Sequence, residues 1–248
     1  MELGDVEIVD GTPIIYIKEL SAVACSDLHL GYEGVMAENG IFLPKANLRK
    51  IKEEIGKVVK EKKPERIIID GDIKNEFSKV HVEEFNELYE FINFLRSSSI
   101  KEIILIKGNH DNFVDRLKNS LGIKIYKQEA LLGKYFFFHG EELPGEKSKE
   151  AEWLIMGHMH PAITLYTSVG KKEKIKCFLY GSFSGKKILV LPAMNYFAEG
   201  VSVNLEDVSE LSPIFSNFDI SNMHALCISE GETLDFGTVG DLRKISKV

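Results

Sequence analysis

The sequence predicts an α/β fold with two mixed β-sheets flanked by helices, and two observations carry that reading. Up to about residue 122, strand-like and helix-like segments alternate. That order gives parallel strands joined by right-handed crossovers, with the helices outside. Beyond residue 122 the pattern changes to short strand-like runs separated by Gly, Pro and lysine-rich turns. No internal repeat or linker-like run divides the 248 residues, so a single domain over 1–248 is the economical expectation.

The elements follow in order. VEIVDGTPIIYI reads as two strands around a turn at Asp10-Gly11, because Asp-Gly between β-rich runs is a strong hairpin signal. LSAVAC is a short apolar strand that stops at Ser26-Asp27-Leu28-His29. Over residues 45–63, Leu48, Ile51, Ile55, Val58 and Val59 recur at helical spacing, and Pro64 stops the run. RIII follows as a buried strand ending at Asp70-Gly71-Asp72. Val82, Phe85, Leu88, Tyr89, Ile92 and Leu95 mark a second helix, and EIILI leads into Gly108-Asn109-His110-Asp111. Asp111 is placed to cap a helical segment NFVDRLKNSLG that Gly122 ends. IKIY, EALL, KYFFF, WLIM, AITLYT, KCFLY and KILVL then supply the second sheet, and MHALCISEGETLDFGTV closes with a hairpin turning at Glu230-Gly231.

Composition narrows the class. Hydrophobic residues at 44% and charged residues at 28% describe a globular chain able to bury a full core. A formal net charge of -7 argues against an extended basic face for duplex nucleic acid. Cys25, Cys177 and Cys227 are too far apart for a thiolate metal motif and read as buried free thiols. The N-terminus lacks a signal-peptide pattern and no apolar run reaches the ~18 residues of a membrane span, so no membrane association and a cytoplasmic location are expected. The lysines at 171, 172, 174, 176, 186 and 187 are expected in solvated hairpin turns that blunt sheet edges.

The chemistry lies at the ends of five strand-like runs. LSAVAC precedes Asp27 and His29, RIII precedes Asp72, EIILIK precedes Asn109 and His110, KYFFF precedes His139, and WLIM precedes His158 and His160. The carboxyl ends of such strands form the ligand crevice of open α/β sheets. Singly, each motif reads as a cap, a turn or a satisfied core histidine. Jointly, two Asp, one Asn and five of the chain's seven His at separate strand ends form a mixed nitrogen and oxygen set. That set suits a pair of borderline divalent ions, Mn first, with Fe, Zn or Ni compatible. Asp27 and His29 are two residues apart, as are His158 and His160, so an extended backbone would point each pair to one side. His81 and His224 carry no such context.

The ordered set Asp27-x-His29, Gly71-Asp72, Gly108-Asn109-His110-Asp111, His139-Gly140 and Gly157-His158-x-His160 resembles the calcineurin-like metallophosphoesterase superfamily. SDLHLGYE and LPAMNYFAEG are similar to small prokaryotic members related to SbcD-type nucleases and to the phosphoesterase of DNA ligase operons. The resemblance implies a four-layer αββα sandwich and a two-metal phosphoesterase acting through a metal-activated water. It further implies Asp27, His29 and His160 on one ion, Asn109, His139 and His158 on the other, and Asp72 between them. His110 is implied as the general acid toward the leaving group, or as a donor to the phosphoryl oxygen.

One departure stands out: where many members of the superfamily carry an acidic residue to support the motif-three histidine, this chain has Asn75. An amide would orient His110 without stabilising its cation. The expected substrate is a phosphodiester, either a nucleotide, a cyclic nucleotide or a nucleic-acid end. The alternatives are a phosphomonoesterase of the same fold and a catalytically weak binding scaffold. The charged loop 141–152 is expected to leave the site open.

Overall fold

A computed structural model describes residues 1–77, 81–166, 170–216, 218–229 and 231–245. In chain order the first half comprises β1 (Glu7–Ile8), β2 (Ile15–Ile17), β3 (Ala22–Cys25), α1 (Tyr32–Glu38), α2 (Asn47–Lys62), β4 (Arg66–Asp70), α3 (Val82–Ser97), β5 (Glu102–Ile106), α4 (Lys118–Leu121) and β6 (Lys124–Tyr126). The second half comprises β7 (Glu129–Leu132), β8 (Tyr135–Phe138), β9 (Trp153–Met156), β10 (Pro161–Tyr166), β11 (Lys172–Phe183), β12 (Lys186–Val190), β13 (Val201–Ser202), β14 (His224–Ser229), β15 (Glu232–Thr238) and α5 (Val239–Ile245).

The strands form two sheets. The first runs β1-β2-β3-β4-β5-β6, parallel from β3 to β6; the second runs β13-β10-β11-β12-β9-β8-β7, with β14 and β15 attached through β11. Within the second sheet β8, β9 and β12 are mutually parallel. A bridge between Ser26 and Ala193 ties the ends of β3 and β12 together.

Alternation along each strand builds the layers. Ile67, Ile69, Ile103 and Leu105 face Ile51, Ile55, Leu88 and Ile92 of α2 and α3. Ile68, Ile104 and Ile106 point the other way, into a core shared with Phe137, Trp153, Ile155 and Leu189 of the second sheet. The far face of that sheet, including Phe136, Leu154 and Ile188, is covered by Ile214, Phe215, Ile220 and Leu242. Two sheets with outer helical layers are therefore present, although α5 is short and irregular backbone supplies much of the last layer.

Several local expectations change. The first hairpin is wider than a two-residue turn, because Val9 N donates to Ile14 O at 2.9 Å. The short helices α1 and α5 each contain a glycine, Gly34 and Gly240, and their helical period is too brief to read. Val82 and Tyr89, counted toward a buried helix face, are exposed. NFVDRLKNSLG forms a 3-10 turn over Val114–Leu117 before α4, and Gly122 ends it with a φ of 55° as expected. The final hairpin is present as β14 and β15, with Glu230 of its turn outside the described residues. Lys172, Lys174 and Lys176 lie within β11, and Lys186 and Lys187 within β12, not in turns. Lys176 is drawn inward, donating to Ala193 O at 2.8 Å and Asn195 O at 2.5 Å. Among the described residues no helix is long and apolar enough to cross a membrane.

Candidate metal centre

The parallel strands of both sheets direct their carboxyl ends to one edge, where the predicted residues converge. Asp27 Oδ1 lies 3.1 Å from His160 Nε2 and 3.7 Å from His139 Nε2. Asp72 Oδ2 lies 3.1 Å from His139 Nε2 and 3.9 Å from His29 Nε2, placing it between two groups of donors. Asp27, His29 and His160 form one cluster with ligand atoms within 4.8 Å of each other, and Asp72, His139 and His158 form a second. A third, His29, Asp72 and His110, bridges them.

Unpartnered polar atoms mark where an ion would go. Asn109 Oδ1 is buried and makes no hydrogen bond among the described residues, and buried His139 Nε2 has only carboxylates near it, Asp72 Oδ2 at 3.1 Å and Asp27 Oδ1 at 3.7 Å. Burial without a partner costs roughly 1–3 kcal/mol per group, so such atoms persist where a ligand completes them. His139 is also oriented from behind: its Nδ1 donates to Asp70 O at 2.8 Å, leaving Nε2 free toward the centre. The donor set and these orphaned atoms fit divalent ions.

The backbone differs from the extended conformation expected for the paired ligands. Asp27, His29, Asp72, His158 and His160 all have positive φ, between 44° and 66°. They are five of the ten described non-glycine residues with positive φ. Each pair is therefore placed by two left-handed residues flanking Leu28 or Met159; Asp27 and His29 share a cluster, while His158 and His160 divide between the two. Such conformations cost on the order of 1–3 kcal/mol each and gather at functional sites. The glycines of the motifs supply room. A Cβ on Gly108 would collide with Asp72 Oδ1, and one on Gly157 with Ser26 Oγ. Neither has a positive φ, so close approach rather than turning is what requires glycine there.

Residues 20–181 match the family model described as calcineurin-like phosphoesterase. The chain belongs to that family. A search of curated proteins finds no match. Among solved structures the phosphoesterase is similar to the Pseudomonas putida nuclease MPE at 17% identity and a TM-score of 0.63, over 90% of this chain and 92% of that one. It is also similar to YfcE, a phosphoesterase from E. coli, at 13% identity and TM-score 0.37, over 76% and 92% of the two chains. A third match is zinc-complexed Vps29 from Entamoeba histolytica, at 15% identity and TM-score 0.34, over 87% and 99%. The nuclease MPE supports the fold. Family membership makes the chain a metal-dependent phosphoesterase in general terms.

The phosphoesterase holds its strained loops with residues that carried no signal of their own. Asn47 Nδ2 donates to Leu28 O at 3.0 Å and His29 O at 3.3 Å, while its Oδ1 accepts from Tyr196 N at 2.8 Å. Asn195 N donates to Asp27 O at 3.0 Å, and its Oδ1 accepts from Phe197 N and Ala198 N. Both asparagines are fully buried. Asn47 looks like an ordinary helix start, and only the motif LPAMNYFAEG hinted at Asn195.

Two expected roles are corrected. Asp111 does not cap the following segment. It is fully buried and accepts from Gly108 N at 2.9 Å and Ile73 N at 3.0 Å, stapling the second and third loops together. Asn75 supports His110 through its main chain, since His110 Nδ1 lies 2.5 Å from Asn75 O. A carbonyl accepts only from an Nδ1–H, which both the neutral and the cationic ring can carry, so no carboxylate is needed there.

That carbonyl is held by a buried pair. Glu84 Oε1 accepts from Asn75 N at 2.7 Å and Glu76 N at 2.5 Å, and Lys74 Nζ lies 3.7 Å from Glu84 Oε2, both side chains fully buried. Glu84→Leu should therefore destabilise the protein by about 3–5 kcal/mol, because it leaves the buried Lys74 ammonium without a countercharge, held only by Glu76 O. Adding Lys74→Met should recover most of that loss. Denaturant unfolding of the single and double variants measures both.

Stability should also respond to pH in a defined direction. Burial pushes the Asp111 carboxyl up to about 7 and the Asp70 carboxyl well above the carboxylate range. Burial opposes protonation of His139, but the Asp72 carboxylate outweighs it and raises the imidazole well above its ordinary value. Without metal, folded Asp70 and His139 keep protons above pH 7 that the unfolded chain, at ordinary values of 3.8 and 6.5, has already lost, while Asp111 gives up its own through that range. Their stabilisation is lost as pH rises. Asp27 and Asp72 are lowered, burial notwithstanding, by neighbouring imidazoles, so both are ionised folded and unfolded in this window. His29, lowered by burial to about 4, and His158, also lowered by burial, are largely neutral in both states; Lys176, lowered by burial to about 8, works in the opposite direction but is one group against Asp70, His139 and Asp111. The chelated protein should melt lower at pH 8 than at pH 7, and a divalent ion should raise the midpoint more at pH 8. A flat or rising midpoint without metal would contradict this assignment.

Beside the centre a cleft of about 450 Å³ is lined in part by His29, His158 and His160. The loop 141–152 contributes nothing to that lining and is held elsewhere, with Gly145 N donating to Glu129 Oε2 and Lys186 Nζ to Lys149 O. A larger groove of about 710 Å³ between α2 and α3 includes none of the predicted ligands, and the Lys45–Glu83 and Lys52–Glu90 ion pairs lie along it. His81 and His224 pair at the surface with Glu38 and Asp235.

Proposed function

We propose that the chain hydrolyses a phosphodiester with two divalent ions. The observation that carries this reading is the gathering of Asp27, His29, Asp72, His139, His158 and His160 from four strand ends into adjoining clusters, with Asn109 Oδ1 buried and unpartnered at the end of a fifth. Asp27, His29 and His160 would hold one ion, Asn109, His139 and His158 the other, with Asp72 shared. Manganese suits this mixed nitrogen and oxygen set, and Fe, Zn or Ni are compatible. The ions would supply a water of lowered pKa and neutralise charge growing on the phosphoryl oxygens.

The remaining steps belong to the chain itself. Asp70 O and the Asp72 carboxylate keep His139 and the loops in register. His110, with about 30% of its side chain exposed and Nε2 4.0 Å from Asp72 Oδ2, is placed to give a proton to the departing oxygen. The three cysteines are buried and free, in keeping with a reducing cytoplasm.

The test is hydrolysis of bis-p-nitrophenyl phosphate by chelated protein given back Mn. Metal-dependent turnover that Asp72→Ala abolishes is expected. Absence of turnover with Mn, Fe, Zn and Ni, or full turnover in Asp72→Ala, would overturn the reading. A faster rate on p-nitrophenyl phosphate would make it a monoesterase.

A further inference from the structure

The cleft beside the candidate ligands is lined by two unlike kinds of side chain: the imidazoles of His29, His158 and His160, and the apolar surfaces of Tyr32, Val201 and Leu211. Tyr32 is built as a platform. Its ring stacks on Phe197 with centroids 6.0 Å apart and an interplanar angle of 15°. Tyr196 braces Phe197 edge-on at 5.2 Å, and Lys50 Nζ sits 5.5 Å over Tyr196. Tyr32 N donates to His29 O at 3.2 Å, which fixes the ring in register with a predicted ligand. Asn75 also lines the cleft, and an amide side chain offers both donors and an acceptor to a heterocycle edge.

The esterified phosphate alone gives these apolar surfaces nothing to do. A flat heterocycle does, because stacking of a nucleobase on an aromatic side chain is worth about 1–3 kcal/mol. Among the described residues no lysine or arginine lines the cleft, Lys174 at its edge is engaged with Gly200 O at 2.9 Å, and the net charge is -7, which disfavours a grip on further phosphates of a polynucleotide backbone. We propose that Tyr32, backed by Phe197, is a base-stacking subsite, and that the preferred substrate is a phosphodiester of a single nucleoside. This rests on the hydrolase reading above.

Two esters with one leaving group separate the possibilities: thymidine 5′-(p-nitrophenyl phosphate) and methyl p-nitrophenyl phosphate, each with Mn. The parent protein should favour the nucleoside ester by about tenfold or more in kcat/KM. Tyr32→Leu should bring the ratio of the two toward one, and Tyr32→Phe should retain it. Calorimetric binding of thymidine 5′-monophosphate should weaken in Tyr32→Leu by a similar factor. Equal kcat/KM for both esters in the parent, a preference that survives Tyr32→Leu, or an equal loss on both esters would overturn the subsite while leaving the diesterase intact. Cleavage of neither ester would overturn both.

Discussion

Asp72→Asn should lower kcat on a phosphodiester by about 10³-fold or more while leaving the fold in place. Asparagine is the apt replacement because Asp72 sits at a φ of 51°, a conformation Asn tolerates better than most residues. Its oxygen can also still accept from His110 N, which now bonds Asp72 Oδ1 at 2.9 Å. The change therefore removes one charge and little else. Asp72 lies between the two donor groups, 3.1 Å from His139 and 3.9 Å from His29, so the loss would fall on the proposed shared ligand. Ion-borne charge stabilisation is worth several kcal/mol, and about 1.4 kcal/mol is tenfold in rate. Steady-state kinetics at saturating Mn, with circular dichroism to verify folding, decide it. A loss of less than about tenfold would remove Asp72 from the centre.

His110→Ala should behave differently across substrates. Donation of a proton to the departing oxygen contributes roughly 10²–10⁴-fold when that oxygen leaves as a poor alkoxide, and little when it leaves as p-nitrophenolate. The position supports that role. Nδ1 is committed to Asn75 O, Nε2 lies 4.0 Å from Asp72 Oδ2, and the ring packs edge-on against Phe77 at 6.0 Å and against His29 at 5.0 Å. The variant should lose at least about 10²-fold on a dialkyl ester such as a dinucleoside phosphate, and much less on bis-p-nitrophenyl phosphate. An equal loss on both would make His110 a donor to the phosphoryl oxygen instead.

The clustering of these side chains was legible because scarce residue types, His and Asp above all, stand together at strand ends, where packing alone would not put them. Two apolar strand-helix units ending in Asp72 and Asn109 needed no further information to be placed side by side. Conformation was less accessible. Nothing in Asp-x-His distinguishes an extended pair from two left-handed residues, since that choice is made by distant contacts from Asn47 and Asn195. Asp111 misled because a carboxylate before a helical segment is the usual cap, and its actual partners, Gly108 N and Ile73 N, lie on loops brought together only in the fold. Asn75 misled for a related reason: the useful group is a carbonyl, which every residue has. Lys176 read as a turn lysine until β11 extended across all of residues 172–183 and carried it inward.

The stoichiometry of divalent metal tests the central claim most directly. Chelated protein titrated with Mn by calorimetry, with metal content of the dialysed complex measured independently, should take up two ions per chain, and Asp72→Asn should hold no more than one tightly. Fewer than two ions in the parent, or two retained with unchanged affinity in Asp72→Asn, would contradict the two-ion centre.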